Sequence, residues 1–281
     1  MFGSSSNEYD ATSSTMSDEK RQQLFKDLFE SSGLHTGISW LLSPEVLESA
    51  LLLHNLESTL LSQEMKEAAD KVSFLLERVR VNAEAISRIE QATIGQSKNS
   101  LWLVVKRFLI TASNVGAVLR ACNSGKYSES LFNTLLGAYD LDGIKAIKWG
   151  RENEATARKA FEDHFNVKVR ECGIFLHESG LLGASPDGLI DDEIVLEIKC
   201  PYKWRNCPDI EVALKEAKKS DIVRIENGTY VVNEKNDWYH QIQTQLFILN
   251  KKELDCLFGP RKVFFVPLFR EMKHGVRISK N

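Results

Sequence analysis

Apolar residues follow two different spacings along the chain, and each spacing predicts a different kind of element. From Pro44 to Gln91, leucine and valine return every three or four residues among charged ones, as on one face of an α-helix. Ser43 offers an N-cap and Pro44 a first helical residue. Residues 1–22 are instead rich in Ser and Thr and contain little to bury. The pattern predicts a disordered tail over 1–22 and a helical region over 23–98, which packs either on the core or, as a coiled-coil arm, on a partner.

From residue 99 onward, predicted helices alternate with short strands. The periodicity predicts helical segments within Trp102–Leu119, Leu131–Leu136, Ala146–Phe165 and Trp238–Leu249. Short apolar runs predict strands at Val167–Val169, Gly173–Leu176, Leu182–Ala184, Ile194–Lys199 and Val263–Phe269. The pair Asn227-Gly228 predicts a two-residue hairpin turn. Together these elements predict an α/β domain over 99–281, with a mixed central sheet flanked by helices.

Composition narrows the class of protein. With 43% apolar and 27% charged residues among 281, the chain has the balance of a soluble globular protein. Its apolar runs are far shorter than the roughly 20 residues of a membrane span, and its first residues lack the regions of a signal peptide. Five Cys without close pairing suit a reducing compartment. We expect a soluble intracellular protein, nuclear or cytoplasmic, with no membrane contact.

The stretch from Gly183 to Trp204 carries the candidate chemistry. Asp187 lies in a predicted turn after one strand, and Glu197 and Lys199 lie two residues apart on the next. That spacing puts the two side chains on one face of the strand, with Ile198 pointing into the core. If the turn folds the strands together, two carboxylates and one ammonium converge.

Such a cluster favours a divalent cation. Two neighbouring carboxylates raise each other's pKa unless a cation holds both ionised. Oxygen ligands suit Mg²⁺ or Mn²⁺, and a nearby Lys can deprotonate or orient the attacking water. The pattern therefore indicates metal-assisted phosphodiester hydrolysis. An isolated Glu-X-Lys is common by chance and is far more typical of a solvated strand face, so this interpretation depends on its context.

The context is a set of motifs that occur in a fixed order. Ser185-Pro186-Asp187-Gly188 is followed by Leu196-Glu197-Ile198-Lys199-Cys200-Pro201, and Ile110-Thr111-Ala112-Ser113, Lys148 to Arg158 and Tyr239 to Gln243 flank them. The combination resembles the phage lambda exonuclease group, the YqaJ-type viral recombinases (alkaline exonucleases) of the PD-(D/E)XK nuclease superfamily. The resemblance covers roughly Trp102 to Phe269 and implies a restriction-endonuclease-like core.

The resemblance assigns roles to particular residues. It implies five catalytic residues: Glu154, Asp187, Glu197, Lys199 and Gln241. The metal ligands it implies are the carboxylates of Asp187, Glu197 and Glu154 and the carbonyl of Ile198. Lys199 would act on the water, and Gln241 would position the water or Lys199.

The same resemblance implies a pocket for a terminal 5′-phosphate. The matching positions are Ser113, Ser185 and Arg205, since hydroxyls and a guanidinium can hold a phosphate together. Lys106 stands where the family has an Arg, which weakens the case for bidentate capture there. Arg107 is adjacent and also basic.

These motifs imply a Mg²⁺-dependent exonuclease, with Mn²⁺ as a substitute, that degrades double-stranded DNA from free ends in the 5′ to 3′ direction. The formal charge of −3 excludes an overall polycation but not a local basic groove. A single-strand annealing protein and a second copy of the chain are the further partners that we consider. The alternatives are a structure-selective endonuclease on the same core and a DNA-end-binding module that no longer cuts. The intact Asp187, Glu197 and Lys199 argue against the last.

Overall fold

The structure is a computed structural model that describes residues 23, 56–136, 143–207, 210–258 and 264–270. Residues from 56 onward fall in one compact unit, Leu52–Asn281. The predicted tail over 1–22 and the predicted helix start at Pro44 lie outside the described residues. Within the described ranges, no helix is long and apolar enough to cross a membrane.

Ten α-helices occur in the described part of the chain. In chain order, α1 to α10 are Leu56–Leu61, Gln63–Glu67, Lys71–Arg78, Ala83–Ala92, Ser100–Lys106, Ala112–Ser124, Glu129–Leu135, Lys145–Phe165, Ile210–Lys215 and Asp237–Leu249. Short 3₁₀ helices cover Gln96–Lys98 and Tyr202–Trp204. The predicted helices Ala146–Phe165 and Trp238–Leu249 thus agree with α8 and α10 to within one residue.

Ten strands occur in the same ranges. In chain order, β1 to β10 are Ile110–Thr111, Val169–Arg170, Phe175–Leu176, Leu182–Ala184, Gly188–Ile190, Ile194–Lys199, Val223–Glu226, Thr229–Val232, Glu253–Phe258 and Phe264–Arg270. The hairpin predicted at Asn227-Gly228 forms between β7 and β8, with φ of 52° and 76° at these two residues. Positive φ at both positions is what a tight hairpin turn requires, and Asn and Gly tolerate it best.

The central sheet has the strand order β10-β9-β6-β5-β2. Strand β6 pairs antiparallel with β5 and parallel with β9, while β2 closes one edge antiparallel to β5. A smaller sheet has the order β1-β4-β3. The chain order α8, β2, β5, β6, α10, β9 therefore builds a mixed sheet, and the predicted α/β fold with a mixed central sheet is confirmed.

Helices cover both faces of this sheet because β6 is apolar on both sides. On one face, Ala157 and Phe161 of α8 pack in a cluster with Leu196 and Ile198. On the other face, a second cluster joins α10 to the sheet through Val195, Ile242, Leu246, Leu254 and Cys256. A strand buried on both faces takes a continuous apolar run, so a charged residue within it is exceptional.

The described part of the helical region packs on the core. Its apolar residues share one cluster with the smaller sheet, formed by Leu56, Val79, Ile89, Leu101, Val105, Leu109, Ile174 and Leu176. The Thr93 hydroxyl accepts a hydrogen bond from the Ile174 N–H at 2.9 Å, and Glu90 accepts from Arg170 at 3.0 Å. Between the two arrangements left open by the sequence, residues 56–98 adopt the one that packs on the core.

The sequence analysis overlooked the strands β1, β5 and β9. It predicted that a turn at Asp187-Gly188 folds one strand directly onto the next, but Gly188 begins β5, and the turn lies at Asp191 and Asp192. These two residues have φ of 49° and 58°, and the Glu193 N–H donates to the Ile190 carbonyl at 3.0 Å. Asp tolerates the left-handed region better than most residues, so an Asp pair can form a turn without glycine. Asp187 consequently lies before β5 rather than in the hairpin turn.

Asp255 in β9 gives the fold a pH-dependent stability. The residue is 6% exposed, and burial, with a smaller contribution from Glu253, raises its pKa to about 7. Because the folded pKa exceeds the unfolded value, the stability is present at acid pH and is lost as the pH rises towards 7. We compare the free energy of unfolding of Asp255→Asn with that of the wild type at each pH. The difference, variant minus wild type, should be about 2 kcal/mol more positive at pH 8 than at pH 5.

Urea unfolding at the two pH values measures this difference. Asp163→Asn, at an exposed position of α8, is the matched control and should show no such dependence on pH. An equal effect of Asp255→Asn at pH 5 and pH 8 would contradict the assignment.

Candidate active site

The candidate site forms where β6 ends. Glu197 and Lys199 extend from the same face of this strand, as their spacing predicts, and Ile198 between them is buried on the opposite face. The Glu197 side chain is 3% exposed and that of Lys199 is 19% exposed. The Lys199 Nζ lies 2.5 Å from the Glu197 Oε1, so the two form a buried ion pair.

Helix α10 supplies two amides to the same carboxylate. Gln241 donates from Nε2 to the Glu197 Oε1 at 2.7 Å, and its own Oε1 accepts from the Lys199 Nζ at 3.3 Å. Gln245, one helical turn further on, donates to the Glu197 Oε2 at 2.7 Å. Residues four apart share a helix face, so both amides reach one carboxylate. Each oxygen of Glu197 therefore accepts at least one hydrogen bond.

Asp187 joins the site from the segment before β5. Its N–H donates to the Leu196 carbonyl at 3.1 Å, which ties this segment to β6. Its side-chain Oδ2 accepts from the Ile198 N–H at 2.5 Å. Asp187 is thus fixed beside Glu197 and Lys199 by two hydrogen bonds to the neighbouring strand.

Glu154 reaches the site from α8. It lines a cleft of about 750 Å³ together with Ile198 and Lys199, and the indole rings of Trp204 and Trp238 form part of the wall. The Lys199 Nζ lies 5.1 Å from the centre of the Trp238 ring. Contacts and charge interactions therefore join all five residues that the sequence predicts as catalytic, and two of them, Glu154 and Lys199, line the cleft.

The charges of these side chains are strongly coupled. Burial, followed by the charges of Glu197 and Glu154, raises the pKa of Asp187 well above its ordinary value. Burial and then Glu197 raise the pKa of Glu154. Burial disfavours the charged form of Lys199, but the carboxylates of Glu197 and Asp187 outweigh it and raise the pKa of this ammonium group. The charges of Glu197 and Lys199 thus act on both Asp187 and Glu154.

This donor set fits a hard divalent cation in its chemistry. Burial first, and then the charge of Glu197, raise the pKa values of Asp187 and Glu154, and carboxylate oxygens are the ligands that Mg²⁺ prefers. Among the residues that the structure describes, however, no three His, Cys, Asp or Glu side chains stand close enough together to hold a metal ion.

The predicted phosphate-binding residues divide into two groups. The Ser185 hydroxyl accepts from the Trp102 Nε1 at 2.8 Å, and Ser185 lies two residues before Asp187. Lys106 lies over the Trp102 ring at 4.5 Å, and burial, with a contribution from Arg151, lowers its pKa. These residues lie close to the motif that carries Asp187.

The other three make different contacts. Ser113 is exposed and pairs with the Thr111 hydroxyl at 3.0 Å near the start of α6. Arg205 is exposed, stacks on the Tyr202 ring at 4.0 Å and donates to its carbonyl at 2.9 Å, at the margin of the cleft. Arg107 forms an ion pair with Glu57 at 3.7 Å. The structure therefore directs Arg107 towards the helical region and away from the carboxylates.

Two residues that contact this site were missed by the sequence analysis. Gln245 follows Gln241 by four residues, and that helical spacing was the signal that could have identified it. Gln96 donates to the carbonyl of Pro186, directly before Asp187, at 2.7 Å. No local pattern predicts this second contact, because 90 residues separate the two partners.

The fold and the site together define a class of protein: an α/β domain with clustered carboxylates, a lysine and an amide at the end of a central strand. Residues 101–252, more than half of the chain, match the YqaJ-like viral recombinase domain. The chain belongs to this family. The match confirms the family indicated by the sequence motifs, and the observed topology confirms the predicted mixed sheet flanked by helices.

The chain is also similar to individual known proteins. The chain is similar to the alkaline nucleases of Autographa californica nuclear polyhedrosis virus, at 30% identity over 185 residues, and of Orgyia pseudotsugata multicapsid polyhedrosis virus, at 29% over 189. These alignments cover 59% and 62% of this chain, but only 42% and 43% of those proteins. Among solved structures, an alkaline exonuclease from Laribacter hongkongensis aligns with a TM-score of 0.39 and 24% identity, over 56% of this chain and 72% of that one.

The contact between Gln245 and Glu197 is testable by a double-mutant cycle. Gln245 is fully buried, and its Nε2 donates to a charged oxygen, so Gln245→Met should lower the unfolding free energy by about 1–3 kcal/mol. In a Glu197→Gln background the acceptor is no longer charged, and the same substitution should have a clearly smaller effect. Urea unfolding of the four proteins measures the coupling energy. Additive effects of the two substitutions would show that the contact contributes nothing.

Proposed function

We propose that this protein is a metal-dependent deoxyribonuclease that hydrolyses duplex DNA from its ends, in the 5′ to 3′ direction. The observation that carries the proposal is the convergence of Asp187, Glu197 and Lys199 with Gln241 and Glu154, beside a cleft that Glu154 and Lys199 line. A purely structural ion pair would need neither the second and third carboxylates nor a cleft beside them. Membership of the family and the names of the two viral relatives, both alkaline nucleases, agree with this proposal.

Asp187, Glu197 and Glu154 are the side chains that would hold the metal, with the Ile198 carbonyl as a further oxygen. We propose Mg²⁺, with Mn²⁺ as a substitute, because these cations prefer oxygen ligands and retain waters. When bound, such an ion supplies a Lewis acid for the phosphate and makes a bound water more acidic. A bound cation would favour the ionised form of Asp187 and Glu154, whose pKa values burial and Glu197 otherwise raise.

Lys199 and Gln241 act on the water and the phosphate. The carboxylates favour the ammonium form of Lys199, so we assign it the orientation of the attacking water and the stabilisation of negative charge that develops on the phosphate. Gln241 contacts both Lys199 and Glu197, and it therefore sets the direction in which the Lys199 Nζ points. Trp238 limits the movement of Lys199 from the other side.

Arg205 is our proposal for the group that recognises a terminal 5′-phosphate. Its guanidinium lies on the Tyr202 ring and uses Nη1 for the Tyr202 carbonyl, an arrangement that holds the side chain beside the cleft. A guanidinium can hold a doubly charged terminal phosphate with two hydrogen bonds. Its interaction with an internal diester, which carries one charge, is weaker. Such a pocket favours ends over internal sites and so gives an exonuclease.

The chemistry is tested by single substitutions in the cluster. Asp187→Ala, Glu197→Ala and Lys199→Ala should each lower the turnover of linear duplex DNA by about a thousandfold or more, since each removes a ligand or the group that orients water. Glu152→Ala is the matched control, because Glu152 is exposed on α8 two residues from Glu154. It should digest DNA like the wild type. Circular dichroism confirms that each variant is folded.

The same assay separates the proposed function from its alternatives. Linear and closed circular duplexes are digested in Mg²⁺, in Ca²⁺ and in EDTA. We expect hydrolysis of the linear form in Mg²⁺ and little in Ca²⁺, whose longer and looser coordination misplaces the water. Nicking of closed circles at the same rate would support a structure-selective endonuclease. Full activity in EDTA, or in Lys199→Ala, would contradict the mechanism.

The end-binding pocket makes a separate prediction. Linear DNA with a 5′-phosphate should be digested faster than the same DNA with a 5′-hydroxyl, and Arg205→Ala should remove most of this preference, equivalent to about 1.5–3 kcal/mol. Arg224→Ala is the control, because this arginine already pairs with Glu226. All reactions need the same salt concentration, since general backbone contacts depend on it. Equal rates on both ends with wild type would contradict the pocket.

A further inference from the structure

The short segment between α4 and α5 lies just before the matched family domain, which begins at residue 101. Its backbone is left-handed at Gly95 and Gln96, with φ of 94° and 48°. The Asn99 amide donates to the carbonyls of Ala92 and Ile94, at 2.9 and 2.8 Å. These contacts fix the segment in one conformation, so a side chain on it can hold a neighbour in place.

The Gln96 side chain joins two other parts of the chain. Its Nε2 donates to the Pro186 carbonyl at 2.7 Å and to the Cys172 carbonyl at 3.1 Å. One amide group thus uses both of its N–H bonds, one on the residue before Asp187 and one on the link between β2 and β3. The Pro186 carbonyl and the Asp187 nitrogen belong to the same rigid peptide plane. A displacement of that carbonyl therefore moves Asp187 as well.

We propose that Gln96 is a positioning residue for Asp187, although it lies outside the family domain. It holds the peptide plane from which Asp187 starts, and Asp187 then accepts from the Ile198 N–H at 2.5 Å between Glu197 and Lys199. Gln96 touches none of these groups itself. Its effect on catalysis rests on the function proposed above, but its effect on the placement of Asp187 does not.

Two neighbouring contacts support this assignment. Trp102 donates to the hydroxyl of Ser185, so the residue before Pro186 is held from the same side of the chain. Lys98, two residues after Gln96, is close enough to Glu154 for its positive charge to favour the ionised carboxylate. The segment 95–99 therefore borders the site and also supports the segment before β5 that carries Asp187.

The test uses Gln96→Met, which keeps the length of the side chain and removes both donors. Amide hydrogen exchange of Ile198 is the first readout, because this N–H is protected by its bond to Asp187. We expect it to exchange at least about tenfold faster than in the wild type, the usual effect of one lost hydrogen bond. Val195, in the middle of the same strand, should keep its rate, which separates a local change from global unfolding.

Kinetics and metal titration give a second readout. In Gln96→Met, kcat on linear duplex DNA and the affinity for Mn²⁺ should fall by about tenfold, whereas KM for DNA should stay within about threefold. A merely structural role would lower the active fraction and leave the Mn²⁺ affinity of the folded protein unchanged. Gln91→Met is the matched control, because it makes the same substitution at an exposed position of α4.

Gln96→Asn provides a second variant should the Met protein fail to fold. Asn tolerates the left-handed backbone but is one carbon too short for both carbonyls, so it should show the same changes. Unchanged exchange at Ile198 in a folded variant would overturn the proposal. A wild type without nuclease activity would refute the proposed function alone, since the exchange experiment still tests the position of Asp187.

Discussion

The structure depends on the stabilisation of one buried negative charge, that of Glu197. A carboxylate in the middle of a sheet, with helices on both faces, has lost its water and must find its partners in the protein. It finds Lys199 on its own strand and Gln241 and Gln245 on α10. Removing one partner of such a pair typically costs about 3–5 kcal/mol, because the other is left buried and uncompensated. The position of α10 on the sheet is therefore coupled to the chemistry of the site.

The two faces of the sheet contribute differently to this site. The face under α10 provides neutral amides that satisfy Glu197, whereas α8 on the other face brings a further carboxylate, Glu154. Asp187 enters between them from the segment before β5. Hydrogen bonds thus fix Glu197 and Asp187, while burial and then the charge of Glu197 raise the pKa values of Asp187 and Glu154.

The helical residues before the family domain are part of the same structure. Their cluster with Ile174 and Leu176 buries one face of the smaller sheet, and Thr93 and Gln96 satisfy backbone groups on the link between β2 and β3. A backbone group that is buried without a partner is destabilising, so these side chains replace the pairing that the two-residue strands cannot provide. The described part of this region thus supports the segment before β5 that contains Asp187.

The sequence by itself determined the helices α8 and α10 and most of the strands, but not β1, β5 and β9, and it indicated Glu197 and Lys199 as candidate site residues. The two-residue spacing of Glu197 and Lys199 fixed their common face, and the long periodic run fixed α8, because both depend on local geometry that neighbours in the chain share. The motifs also indicated Asp187, Glu154 and Gln241. Local patterns could not reveal that β5 separates Asp187 from the hairpin turn, since a three-residue strand with an Asp-Asp turn has no distinct signature.

Only the tertiary structure decided the contacts that join distant residues. Arg107 forms its ion pair with Glu57 and not with a carboxylate of the candidate site. Gln96 donates to the carbonyl of Pro186, directly before Asp187. These contacts depend on how α4 and α5 pack against the smaller sheet. The sequence gives the type of each side chain but not the direction in which it points. Long-range hydrogen bonds form where packing brings a donor to an acceptor. The residues next to the donor in the sequence therefore do not predict which acceptor it finds.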